Sequence, residues 1–245
     1  TAIYGKCSPD KSFDLNIDAQ RFSYANLTLD DISFASKTND DYLNTTINSS
    51  KFQFADSLYL NDVNVDLISN SEKLDMYLLF TGNNSDNLNR GRINFKSLFT
   101  GNSLQGGFED SQITLMGNEI MINNDNIISY DGKNIAILNL SMYKPKESIT
   151  INGTISDKNT DKLDINFNNL DISVFNPLLK SAELELKGRL NRSVTFSNLL
   201  DKPFFTSNLI VDSLCINDNL LGLTNLDISN TVKNDQFAVD VKFLY

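Results

Sequence analysis

The chain has 245 residues, a formal net charge of −10, and neither His nor Trp. Without His, a Ser-His-Asp or Cys-His nucleophile system is excluded, and the commonest general base and zinc ligand are missing. The acidic balance argues against nucleic acid and anionic headgroups as surface partners, but not against an apolar guest held inside.

Asp outnumbers Glu by 25 to 6 and Asn contributes 34 residues, a composition suited to tight turns and strand ends. Cys7 and Cys215 stand too far apart for a disulfide framework or a metal knuckle and read as unpaired thiols. No run of 18 apolar residues occurs, so no helical membrane span is expected. The chain opens at Thr1 and ends within the alternating run to Tyr245, which reads as a segment of a longer extracytoplasmic polypeptide.

Along the chain, period-2 alternation dominates and predicts an all-β, antiparallel protein. Two early stretches break the alternation in the same way. Leu27-x-Leu29-Asp30-Asp31-Ile32-x-Phe34 is matched by Leu58-x-Leu60-Asn61-Asp62-Val63-x-Val65. Tyr42-Leu43-x-Thr45-x-Ile47 then agrees with Lys73-Leu74-x-Met76-x-Leu78, which suggests one unit a few strands long used twice. Leu74, Met76, Leu78 and Phe80 share one face of a strand.

The break recurs at Ile165-x-Phe167-Asn168-Asn169-Leu170-x-Ile172 and at Leu221-x-Leu223-Thr224-Asn225-Leu226-x-Ile228. A two-residue hairpin or a β-bulge would each produce this shift of parity. Helical spacing is convincing once, over 174–182, with Asn176 as cap and Pro177 at the first helical position. Leu184-Glu185-Leu186 and Phe237–Phe243 read as further strands. The most plausible subdivision lies near residue 158: 1–157 as a repeated antiparallel segment, 158–245 as its continuation with the short helix.

No chemical constellation rises above the composition. Acid pairs such as Asp30-Asp31, Asp40-Asp41 and Asn61-Asp62 lack the Asp-x-Asp-x-Asp-Gly loop of a calcium site. The Asn-x-Ser/Thr sequons at Asn26, Asn44, Asn48, Asn83, Asn139, Asn152 and Asn191 are about as frequent as composition alone would give. Glycines fall mostly at strand ends and form no phosphate loop. Neither a catalytic residue, nor a metal, nor a cofactor is expected.

What carries more is an ordered set of segments in the second half. Ile149-Thr150-Ile151-Asn152-Gly153-Thr154-Ile155-Ser156 is followed by Leu170-Asp171-Ile172-Ser173-Val174-Phe175-Asn176-Pro177-Leu178-Leu179. Then come Leu186-Lys187-Gly188-Arg189-Leu190-Asn191 and Leu221-Gly222-Leu223-Thr224-Asn225-Leu226-Asp227-Ile228-Ser229. In this order the segments resemble the TamB family of periplasmic translocation and assembly module proteins, within the AsmA-like superfamily. The resemblance implies a long curved antiparallel sheet forming a U-shaped apolar groove, in a Gram-negative periplasmic protein whose parent chain is anchored in the inner membrane. It implies phospholipid acyl chains as partners, and an outer-membrane barrel protein engaged by a further part of the parent chain. The implied function is lipid transport between the membranes or outer-membrane assembly, without catalysis.

The inward residues expected to line such a groove come from the alternating faces. In the first half they are Leu27, Leu29, Ile32 and Phe34, then Leu58, Leu60, Val63 and Val65, then Leu74, Met76 and Leu78. In the second half they are Ile149, Ile151, Ile165, Phe167, Leu170 and Ile172, followed by Leu184, Leu186, Leu221, Leu223, Leu226, Ile228, Val239 and Val241. Two rival readings are a surface adhesin or glycan-binding β-sandwich, which needs an exposed aromatic platform, and a carboxylate hydrolase, which needs a distinctive acid pair.

Overall fold

A computed structural model describes residues 2–8, 12–54, 58–84, 87–115, 117–179, 182–231 and 236–244. For 58, 83–84, 87–88, 177–178, 230–231 and 236–244 only the backbone is described. The chain forms two compact units, Thr1–Asn124 and Asp125–Tyr245. The boundary anticipated near residue 158 falls inside the second unit, in the turn between two of its strands.

The first unit runs β1 (Ala2–Cys7), β2 (Phe13–Tyr24), β3 (Leu27–Asn39), β4 (Tyr42–Phe54), β5 (Leu58–Ser69) and β6 (Lys73–Thr81). A minimal hairpin of β7 (Asn83–Asn84) and β8 (Asn87–Leu88) precedes β9 (Arg90–Thr100), β10 (Ser103–Leu115) and β11 (Asn118–Ile122). Apart from that hairpin, each strand pairs antiparallel with the next, a plain meander.

The second unit contains β12 (Ile127–Tyr130), β13 (Ile135–Lys144), β14 (Glu147–Ile155) and β15 (Lys162–Asp171). A 3-10 helix (Ile172–Phe175) and a single α-helical turn, α1 (Asn176–Leu179), lead into β16 (Leu186–Ser197). Then come β17 (Phe204–Ile216), β18 (Asn219–Thr231) and β19 (Gln236–Leu244), again paired in sequence order. The expected all-β, antiparallel architecture is what the chain adopts.

The Asp- and Asn-rich composition goes where strand reversals need it. Between β5 and β6 the Asn70 side-chain oxygen accepts from the amides of Glu72 (2.9 Å) and Lys73 (2.8 Å). Between β12 and β13 the Asp131 carboxylate accepts from the amides of Lys133 and Asn134 and from the Asn134 carboxamide. Those donors, led by the Asn134 amide, hold its pKa down to about 2. Such local capture of backbone donors is why these residues favour turns.

The parity breaks are bulges, not hairpins. β3 and β5 run straight through them, with Asp31 and Asp62 in the left-handed region at φ 48° and 47°. Asn and Asp tolerate that region better than other residues with a Cβ, so no Gly is required. The third copy behaves alike, with Asn169 at φ 52° inside β15. The fourth does not: β18 bulges at Gly222 (φ 78°), not at Thr224-Asn225. That relocation keeps Leu221 with Leu226 and places Leu223 on the other face.

In the first unit the breaks align across four strands. Phe22, Leu29, Phe52 and Leu60 form one cross-strand row, and at the next level Ala19 pairs with Ile32 and Ser49 with Val63. Every strand in that stretch therefore shifts parity at the same level, and one face stays apolar on both sides of the crease.

The short helix differs from expectation in position and cap. It begins at Ile172 as a 3-10 turn, and the cap is Asp171, whose carboxylate accepts from the Ser173 amide at 3.0 Å. Asn176 lies inside the helical stretch and pairs through its carboxamide with both backbone groups of Leu186, at 2.8 and 3.0 Å. Asp171 wins the cap because it follows directly from β15 with an extended backbone, as an N-cap requires. No described helix is long and apolar enough to cross a membrane.

Candidate functional site

Each unit presents one apolar and one polar sheet face. On the first unit's apolar face, Ile17, Phe34, Ile47, Val65, Leu78 and Ile93 form a continuous row across β2, β3, β4, β5, β6 and β9. Leu67, Met76, Phe95 and Phe108 continue a neighbouring row into β10, with the Phe95 and Phe108 rings edge-to-face at 5.3 Å. Phe80 lies over Gly91, where any Cβ would strike its ring.

The opposite face is knitted by polar side chains. The Asn64 carboxamide donates to Asn48 (2.8 Å), Asn48 donates to Ser33 (3.3 Å), and the Thr46 hydroxyl donates to Asp66 (2.7 Å). In the second unit the Thr195 hydroxyl donates to Asp164 and Arg192 donates to Asn208. The polar faces are thus internally hydrogen-bonded, while the opposite faces consist largely of side chains that water does not solvate well.

Burial separates the two apolar faces. In the first unit Leu27, Leu29, Ile32, Phe34, Leu60, Val63, Val65, Leu74, Met76 and Leu78 share the apolar face and are all half-buried. Leu58 lies outside the described side chains, although its backbone pairs with Phe54. Phe80, Ser36, Thr45, Ser49 and Ser97 on the same face are buried, at no more than 9% exposed.

In the second unit Ile149, Ile151, Ile165 and Phe167 are likewise half-buried and in register with one another. Leu186, Leu221, Leu226 and Ile228 join this face, and Val239 and Val241 pair with Ile228 and Leu226 but lie outside the described side chains. Leu170 and Ile172 differ. They pack into a closed cluster with Leu190, Val211 and Leu214, all no more than 8% exposed.

Two expected lining residues are misplaced. Leu184 precedes β16 instead of extending it and is 40% exposed. Leu223 is 37% exposed, because the Gly222 bulge shifts the parity of β18 one turn earlier than its apolar pattern suggests. Residues such as Ile17, Ile47, Phe52, Phe80, Ile93 and Val194 belong to the apolar faces without having been among the expected lining residues. In β4 and β9 the inward Thr45, Ser49 and Ser97 hide the alternation. The signal that finds them is the pairing register with a strand whose parity is already known.

Comparison with protein-family models, with curated proteins and with solved structures gave no match.

A well-covered ionic cluster sits where β15 turns into the 3-10 helix. Glu147, its side chain 10% exposed, contacts Lys144 at 3.0 Å and Arg189 at 2.6 Å, and accepts from the Asp171 amide at 3.2 Å. Arg189 also reaches Asp171 at 3.5 Å. Burial pushes the Glu147 carboxyl up, but the Asp171 amide, Lys144 and Arg189 outweigh it and hold the pKa below its ordinary value. Asp171 is likewise lowered: burial opposes, and Ser173 and then Arg189 prevail. Each charge in the cluster faces an opposite one, so the cluster braces the chain where β15 meets the 3-10 helix.

A polar cleft of about 370 Å³ lies in the first unit, beside Asn61, Asp62, Thr81, Asn89 and Arg90. Thr81 donates to Asp62 (2.9 Å) and Asn89 to the Tyr59 carbonyl (3.2 Å), so these groups hold the bulge and its neighbours together. Among the described residues no three His, Cys, Asp or Glu side chains converge as metal ligands. Cys7 and Cys215 are both free.

Proposed function

We infer that the apolar faces hold lipid acyl chains non-covalently, as part of a cell-envelope protein that moves phospholipid between membranes. The observation that carries this reading is the half-buried row Ile17, Phe34, Ile47, Val65, Leu78 and Ile93, apolar and in register across six strands. The ordered segments that resemble the TamB family support the same reading, and with it a periplasmic setting and a U-shaped groove.

The energetics suit the task. An acyl chain in water costs on the order of 0.8 kcal/mol per CH₂, so a 16-carbon chain faces about 13 kcal/mol without shelter. A face built from Leu, Ile, Val, Phe and Met removes part of that cost without fixing a register along the chain. Methylenes are equivalent, so the guest slides from row to row while the contact area stays nearly constant. The polar, acidic outer face keeps such a protein dispersed in water.

Native mass spectrometry of the gently purified chain tests the reading. The expected result is a series of adducts with the masses of diacyl phospholipids. Only lipid-free protein, under conditions that preserve a control lipid carrier's cargo, overturns it.

A further inference from the structure

The apolar face of the second unit is not uniformly available, and the reason is local. On either side of the bulge at Asn169 it carries two bands. One band, Leu140, Ile151, Ile165 and Val194, runs in register over β13, β14, β15 and β16, and each member is half-buried. The other band, Leu170, Leu190 and Val211, lies on the far side of the bulge at Asn169. It is shut: Leu190 is 8% exposed and Val211 2%.

What shuts it is the segment between β15 and β16. Antiparallel neighbours need only a tight turn, yet here 172–185 intervenes and sends Ile172 back into the cluster of Leu170, Leu190, Val211 and Leu214. The segment is fastened at both ends. At its start, Glu147 and Arg189 hold Asp171, which caps the 3-10 helix. Towards its end, Asn176 pairs with the Leu186 backbone, and the Asn217 side chain accepts from Glu185 (2.8 Å) and donates to the Glu183 carbonyl (3.0 Å). Two independent fastenings on so short a connection are more than a chain reversal requires.

We propose that the Ile172–Phe175 turn and α1 form a latched lid that confines an acyl chain in the second unit to the band containing Ile151, Ile165 and Val194. The proposal rests on the acyl-binding reading and adds a position to it. The lid band is closed to methylenes, and the open band is the track. Releasing the latch adds Leu190 and Val211 to the accessible surface and so widens the track.

The experiment uses a phospholipid carrying a diazirine at the acyl terminus, irradiated with the whole chain, and maps the adducts by peptide sequencing. In the unaltered chain, adducts are expected around Leu78 in the first unit and around Ile151, Ile165 and Val194 in the second, with none at Leu190 or Val211. In Glu147→Gln and separately in Asn176→Ala, each confirmed as folded by circular dichroism, adducts are expected to appear at Leu190 and Val211. Adducts at Leu190 or Val211 in the unaltered chain overturn the lid, as does an unchanged map in both latch variants. Labelling confined to the first unit also overturns it, while leaving acyl binding intact. Absence of adducts everywhere removes the acyl-binding reading and the lid with it.

Discussion

Asp31, Asp62, Asn139 and Asn169 each hold a left-handed backbone inside a strand, and each is met by a polar side chain. Ser50 donates to the Asp31 carboxylate (2.8 Å) and Thr81 to Asp62 (2.9 Å). The bulged amides of Asn139 and Asn169 donate to the side-chain oxygens of Asn152 (2.6 Å) and Asn191 (2.8 Å) on the neighbouring strand. A bulge leaves one amide out of the ladder, and an orphaned donor costs roughly 1–3 kcal/mol when water cannot reach it. Three sequon asparagines, Asn139, Asn152 and Asn191, are thereby accounted for as bulge hardware. Asn191→Ala is expected to lower stability by about 1–3 kcal/mol, through the unpaired Asn169 amide, in urea unfolding of the second unit. At Asp31 the left-handed backbone itself is the constraint. Asp31→Asn should leave the urea midpoint of the first unit nearly unchanged, whereas Asp31→Val should cost about 1–2 kcal/mol.

Among the elements, the connection from β15 to β16 depends most on charge. Glu147 and Asp171 both titrate below their ordinary values of 4.5 and 3.8 when folded. A carboxyl with a depressed folded pKa contributes stability that is complete above its unfolded value and disappears as the pH falls through the folded one. The melting temperature of the second unit should therefore stay flat above 4.5 and fall in stronger acid. Glu147→Gln should flatten that acid limb and lower stability at neutral pH by about 1–3 kcal/mol, as loss of a charge-assisted hydrogen-bond partner does. Calorimetry across the pH range reads both effects. The connection is half legible in the sequence. Asn176-Pro177 signalled a helix, but the earlier start depends on Asp171 being held by Arg189 and Glu147, which lie 18 and 24 residues away in sequence. No local pattern encodes that contact.

Across the whole molecule, strand type and antiparallel order were readable because one face alternates with the other over most strands. Individual lining residues were readable only where that alternation was pure. β6 declares itself with Leu74, Met76, Leu78 and Phe80, and all four share the face expected. β4 hides its role because Thr45 and Ser49 occupy inward positions among Ile47 and Phe52. Those hydroxyls are tolerated inside because each finds a partner, Ser36 for Thr45 at 2.7 Å and the Asp30 carbonyl for Ser49 at 2.7 Å. Gly222 misled in the opposite sense: its bulge carries Leu223 away from the face that its apolar neighbours suggested. The proposed acyl binding requires one asymmetry, contact with acyl chains on the apolar face and none on the polar face. Because the chain contains no Trp, a single introduced Trp reports on one face alone. Leu78→Trp places it on the apolar face of β6 and Tyr77→Trp on the polar face. With phospholipids brominated along the acyl chain, the account predicts strong fluorescence quenching at position 78 and little at position 77. Equal quenching at the two positions, or none at 78, would contradict it.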